Sequence, residues 1–333
     1  MSASQIFVDK PTRLLENGVI KTPGYSTHMN FIYDNRAIRT LRLKEWDFYQ
    51  INCVDFVVQI VIGNVSYAAQ VSATVLNLKT GQRKSLSKLT FNTRKIKKAM
   101  PSNPEKPCVL QWFDPEIKAQ FEVANGYRRL TLSQWDKTRV RAEIDVTLTN
   151  AAFSKEKMVI ATPMEKGWYL NYKENCFVAN GYCRIEDVEV NVVNGFGLLD
   201  WGRGIWPYKH SWVWGNGSTV VDGKFFGFNI GWGFGDTSAA TENMFFYDNK
   251  AYKLGEVREI KVGDDFRYTD KEKKFVFKVK RLYDNYTHTK MLWVNNSCHQ
   301  VFGLWSGEVT FPDGKKLKIP AFTAFCEHAD NKW

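Results

Sequence analysis

Apolar and polar residues alternate with period two through most of this chain. Ile117, Ala119, Phe121 and Val123 alternate with Lys118, Gln120 and Glu122, and Asn125-Gly126 follows directly. Successive side chains of an extended strand leave opposite faces, so the pattern predicts a strand with one wet face. Asn-Gly then supplies the left-handed dihedrals of a tight hairpin. Val140, Ala142, Ile144, Val146 and Leu148 repeat the alternation against Arg141, Glu143, Asp145 and Thr147. Asp222-Gly223, Asp248-Asn249 and Pro312-Asp313-Gly314 mark further hairpin turns. Helical periodicity is weak throughout, with room for a short turn or two in residues 36–49 and 85–100.

Many short antiparallel strands joined by close turns predict an all-β fold of sandwiches or barrels, whose closure removes exposed edges. A chain of 333 residues exceeds one ordinary core, so two domains are expected. The boundary is placed near Ala161-Thr162-Pro163. This gives an N-terminal barrel or sandwich over 1–163 and a C-terminal barrel over 164–333.

Composition supports this picture, since 15% of the residues are aromatic and such side chains favour pleated, half-buried surfaces. The opening MSASQIFVDK lacks a basic start followed by an apolar run, so a cytoplasmic chain without a secretory signal is expected. The most apolar stretch, residues 56–62, contains Gln59 and falls far short of the roughly 20 residues that span a bilayer. Cys53, Cys108, Cys176, Cys183, Cys298 and Cys326 form no CxxC pair and are expected as reduced, small hydrophobic residues.

Charge is local. Residues 79–98 hold eight cations (Lys79, Arg83, Lys84, Lys88, Arg94, Lys95, Lys97, Lys98) and no acid, which is +8 of the net +11. The segment is expected as an exposed loop or frayed extension. It is either a solvated surface or, through Lys84, Arg94, Lys95, Lys97 and Lys98, a contact for an acidic, for instance cytoskeletal, surface. Without interleaved aromatic residues to stack on bases, it does not read as a specific nucleic-acid site.

The unusual residues concentrate in 195–235, which carries eleven of the 23 glycines and five of the twelve tryptophans. Along 226–234, Phe226, Phe228, Ile230, Trp232 and Phe234 share one side while Gly227, Asn229, Gly231 and Gly233 leave the other nearly bare. A bare face lets a side chain, a ligand or another chain approach the backbone. Trp212 and Trp214 are expected on one face of a strand, turned to an apolar interior, with Val213 on the other. Asp200 and Arg203, three apart among indoles, are expected as a buried pair holding a loop across one end of the second barrel, because an unpaired buried ion is costly. The alternative gives Asp200, Arg203, Tyr208 and Lys209 to a pocket mouth, with Trp201, Trp206, Trp212, Trp214, Asn229 and Asn243 as further ligand contacts. Asp200 and Glu242, among aromatic rings, are the candidate catalytic acids.

GxSxG, HExxH and P-loop motifs are absent, which removes the corresponding hydrolase and nucleotide readings. No cofactor is called for. The five histidines stand apart in sequence, so a metal site would have to be assembled by the fold, and none is expected.

Five blocks resemble the uncharacterised family called domain of unknown function 2804: RLKEWDFY from Arg42, MVIATP from Met158, LLDWGRGIWPYK from Leu198, GFNIGWGFGDTSAATEN from Gly227 and HQVFGLWSGEV from His299, followed by FCEHADNKW at the end. That family is similar to two-domain lipocalin-like proteins that include carotenoid hydratases and tocopherol cyclases. The resemblance implies two such barrels side by side, with an apolar pocket in one of them or between them. Two functions follow as expectations: a protein that binds a hydrophobic small molecule and cyclises, hydrates or isomerises it, or a non-enzymatic scaffold docked through the basic segment.

Overall fold

The computed structural model describes residues 5–137, 139–150, 155–263, 265–291 and 294–332. The first four residues and Trp333, part of the sequence ends read above, lie outside them. Two large antiparallel sheets dominate, each curled around its own apolar core. In the first, one meander (Leu43–Asn52, Phe56–Asn64, Ala69–Asn77, Arg83–Thr90) lies beside another that runs from Cys108–Phe113 to Val188–Ile205. The two meanders join where Val188–Ile205 pairs with Leu43–Asn52, Arg203 opposite Glu45 and Asp200 opposite Phe48. In the second sheet Lys209–Val221 pairs with Lys316–Lys332 and brings two further meanders together. The fold is all-β, as the alternation predicts. No helix among the described residues is long and apolar enough to cross a membrane.

The expected hairpins form: Ala124 pairs with Tyr127 across Asn125-Gly126, and Val221 with Lys224 across Asp222-Gly223. The left-handed dihedrals fall where predicted, at Gly126, Asp222 and Gly223.

Sheet membership moves the domain boundary. Met158–Met164, Gly167–Ile185 and Val188–Ile205 all belong to the first sheet, and the second begins at Lys209. Residues 164–205, expected in the C-terminal domain, therefore complete the first barrel. Ala161-Thr162-Pro163 lies inside a strand that pairs with Leu170-Tyr169-Trp168. The change from one alternating strand to the next marked a hairpin within one sheet.

The basic segment is ordered, not a loop. It forms the Arg83–Thr90 strand and the short helix Arg94–Ala99, anchored by buried Ile96. Acids distant in sequence meet it: Lys79 pairs with Asp55, Lys84 with Glu186 and Asp187, and Lys88 with Asp114 and Glu116. Lys97 donates to the Ile38 carbonyl, whereas Arg94, Lys95 and Lys98 lie exposed. Three of the eight cations are thus paired with acids locally, while Arg94, Lys95 and Lys98 keep their charge on the surface.

A third apolar cluster, with Val57, Leu76 and Leu198 from the first barrel and Trp214, Phe302 and Phe325 from the second, packs the two barrels together. Beside it lies a buried amide knot. The Gly167–Ile185 strand bulges between Glu174 and Phe177, and Asn175 from that bulge donates to Asn216 Oδ1 and to the Phe228 carbonyl. The bare face of Lys224–Trp232 receives this bulge. A Cβ at Gly227 would stand 2.8 Å from Cys176 Sγ, so glycine is needed for the close approach.

Candidate functional site

Alternation decides what each barrel presents to the other. Along Val188–Ile205, Leu199 and Trp201 enter the first core while Asp200 faces the second barrel. Along Gly167–Ile185, Leu170 and Tyr172 point inward, and Tyr169 and Lys173 outward. Trp46 and Phe48 leave Leu43–Asn52 on the same outward side. From the second barrel come Trp212 and Trp214, with Val213 turned into that barrel's core. The two faces enclose a cavity of about 380 Å³ between the barrels.

One end of the cavity is walled by aromatic rings. Trp206 packs edge-on against Phe234 at 4.6 Å, Trp46 at 4.9 Å and Tyr169 at 5.5 Å, with Trp212 at 6.0 Å. Phe234 does not continue the Lys224–Trp232 strand as the alternation suggested. Gly233 and Gly235 take positive φ on either side of it and turn its ring into this cluster. Trp46 lies flat over Gly202, where any Cβ would stand 2.0 Å from the indole.

Three carboxyl groups reach this space. Asp200 accepts from Asn171 Nδ2 at 2.7 Å and from Trp46 Nε1 at 3.0 Å, and burial raises its pKa despite nearby Lys173. Glu242 pairs with Lys173 at 2.6 Å and accepts from Asn229 Nδ2 at 3.1 Å. The same ammonium stands 4.2 Å over the Trp214 ring. Glu327 accepts from Trp212 Nε1 at 2.7 Å, and burial pushes it up to about 7. Glu327 therefore keeps its proton to a higher pH than an exposed carboxyl does, as a general acid requires. His210, stacked on Trp212, is pushed down to about 4 by burial and stays neutral.

Of the residues singled out in sequence, Asp200, Glu242, Trp206, Trp212 and Trp214 line the cavity. Trp201 and Arg203 do not. Three positions apart in a strand, Asp200 and Arg203 face opposite sides, so the expected pair does not form. Arg203 instead enters the first barrel, fully buried, with Asp47 at 2.7 Å, Glu45 at 3.8 Å and the Trp201 ring beneath its guanidinium. The expected loop is the end of a strand. Tyr208 is exposed beyond it. Asn229 and Asn243 are buried braces: Asn229 accepts from Trp214 Nε1, and Asn243 accepts from the Gly231 amide and donates to the Gly255 carbonyl. Lys84, Arg94, Lys95, Lys97 and Lys98 stand apart from the cavity, although Arg83 reaches its rim.

Glu327, Lys173, Trp46 and Tyr169 were not foreseen. Glu327 had a faint signal, an acid in phase with Phe325 and Ala329, but its meeting with Trp212 spans 115 positions.

The chain belongs to the family described as Domain of unknown function (DUF2804), whose model matches residues 5–333. No curated protein sequence matches it. Among solved structures it is similar to a candidate AttH protein from Nitrosomonas europaea, with a TM-score of 0.52 and 11% identity over 86% of this chain and 92% of that one. It is also similar to kievitone hydratase from Nectria haematococca, with a TM-score of 0.52 and 9% identity over 87% of this chain and 88% of that one. At such identities the likeness is one of fold, two lipocalin-like barrels side by side.

Proposed function

We propose that this member of the DUF2804 family binds an apolar small molecule between its barrels and transfers a proton to it from Glu327, in a hydration, cyclisation or isomerisation. The observation that carries this reading is a carboxyl raised to about 7 beside an aromatic-walled cavity. Protonating an alkene turns its π electrons into a C–H bond and leaves a carbocation. Indole and phenyl faces stabilise such a charge through their quadrupoles, and Trp206, Trp212 and Trp46 are placed for this. Water adding to the cation and losing a proton would give a hydrated product; loss of a proton from carbon would give an isomer or a ring. Asp200 is the second candidate acid. Glu242, tied to Lys173, offers negative charge to the developing cation. The hydratase among the fold relatives supports this class of reaction without naming the substrate.

The test is incubation of the purified protein with a panel of apolar alkenes in heavy water, with products read by mass spectrometry. Deuterium bound to carbon, present with wild type and lost with Glu327→Gln, is the expected result. Undiminished incorporation by that variant would remove Glu327 from the role, and a panel that neither binds nor exchanges would overturn the reading.

A further inference from the structure

Alternation along Lys316–Lys332 sends Glu327 to the inter-barrel cavity and its neighbours Cys326 and His328 the other way, into the second barrel. There a separate cavity of about 190 Å³ opens, lined also by Glu259, Tyr268, Val279 and Trp305. Glu259 comes from Val257–Val262 at the far end of the sheet order. A Glu259 carboxylate oxygen, Cys326 Sγ and a His328 ring nitrogen lie within 4.8 Å of one another. Residues 67 to 69 positions apart in sequence thus converge at one mouth.

We propose that Glu259, Cys326 and His328 form a site for a divalent transition-metal ion of the zinc class, with the cavity supplying space for water as fourth ligand. Ligand atoms 2.0–2.3 Å from a tetrahedral zinc stand roughly 3.3–3.8 Å from one another, so no separation need close by more than about 1.5 Å onto an ion, and the His328–Glu259 contact would open slightly. Without metal, His328 Nε2 meets Glu259 Oε2 at 3.0 Å, and an ion would replace that contact. Binding takes the thiol proton from Cys326 into solvent. Thiolate and carboxylate together then balance the two positive charges, which limits the cost of a half-buried ion. An outer shell is in place: Tyr268 donates its hydroxyl to Glu259 at 2.5 Å, the arrangement that orients a ligating carboxylate. At the rim, Arg281 and His299 are held by Asp284 at 3.8 Å and 2.8 Å.

The experiment takes the full chain stripped with chelator and titrates it with zinc chloride by calorimetry, and with cobalt chloride by absorption. One equivalent bound, with the thiolate-to-cobalt charge-transfer band, is expected. Cys326→Ser should abolish the band, His328→Gln should remove saturable binding, and Tyr268→Phe should weaken affinity by about tenfold. Because the thiol must release its proton, affinity should rise with pH. His328 is partly exposed, so His328→Gln keeps the test decisive should Cys326→Ser fail to fold. Absence of the band in wild type, or unchanged zinc affinity in a folded His328→Gln variant, would overturn the proposal.

Discussion

The indole N–H of Trp212 donates to Glu327 Oε1 over 2.7 Å, so a residue that walls the cavity also aims its raised carboxyl. The two sit on adjacent strands, Trp212 paired with Ala329 and Val213 with His328. The contact is therefore fixed by register, and a one-residue slip of either strand would turn its member of the pair to the opposite face and break the contact.

Glu327 makes stability depend on pH. Its value rises from 4.5 to about 7 on folding, so between those values the folded chain holds a proton that the unfolded chain releases. The contribution is complete below the lower value and is lost as pH climbs through the upper one. Relative to Glu327→Gln, wild type should lose up to about 3 kcal/mol across this window. Denaturant titrations of both proteins at several pH values check it; parallel curves would place the acid in the ordinary range.

Arg203→Leu should destabilise by about 3–5 kcal/mol, because it strands buried Asp47 and Glu45 without their cation. Adding Asp47→Asn should recover part of the loss, whereas adding Asp200→Asn should recover none. A double-mutant cycle by chemical denaturation separates the two pairings. Rescue by the Asp200 change would contradict the opposite-face geometry.

Gly63 follows Gln59 and Val61 along the cavity face, and a Cβ there meets only ordinary contacts at 3.7 Å and beyond. Gly63→Phe should therefore fold, fill the cavity and prevent quenching of tryptophan fluorescence by apolar ligands. Normal ligand quenching in a folded Gly63→Phe protein would place the ligand elsewhere.

Gly231 lies under Glu242, where a Cβ would stand 2.2 Å from Oε1. Gly231→Ala should push the carboxylate off Lys173, with a loss of about 1–2 kcal/mol, and change ligand affinity while leaving the fold intact. Melting and fluorescence titration read the two effects separately. Unchanged values in both would show that the carboxylate moves freely.

Local pattern determined a good deal here. Period two and turn residues made the fold class, many of the hairpins and the shared face of Trp212 and Trp214 legible, because both properties depend on neighbours in the chain. The glycine and tryptophan density of 195–235 pointed to the right region, and Asp200, Glu242, Trp206, Trp212 and Trp214 do meet at one cavity. What local pattern left open was partnership. Arg203 was assigned its sequence neighbour Asp200, but pairing with Leu43–Asn52 brings Asp47 to it from 156 positions away. Three cations of the basic run find acids, Asp55, Glu116 and Glu186, only because turns distant in sequence are brought to them. Non-local pairing also carried the first barrel to Ile205, past the proline taken as its limit. Glu327 acquires its raised pKa, and Cys326 and His328 their approach to Glu259, only when distant strands close around them. Burial and partner choice are properties of the closed sheets, whereas alternation is a property of the chain.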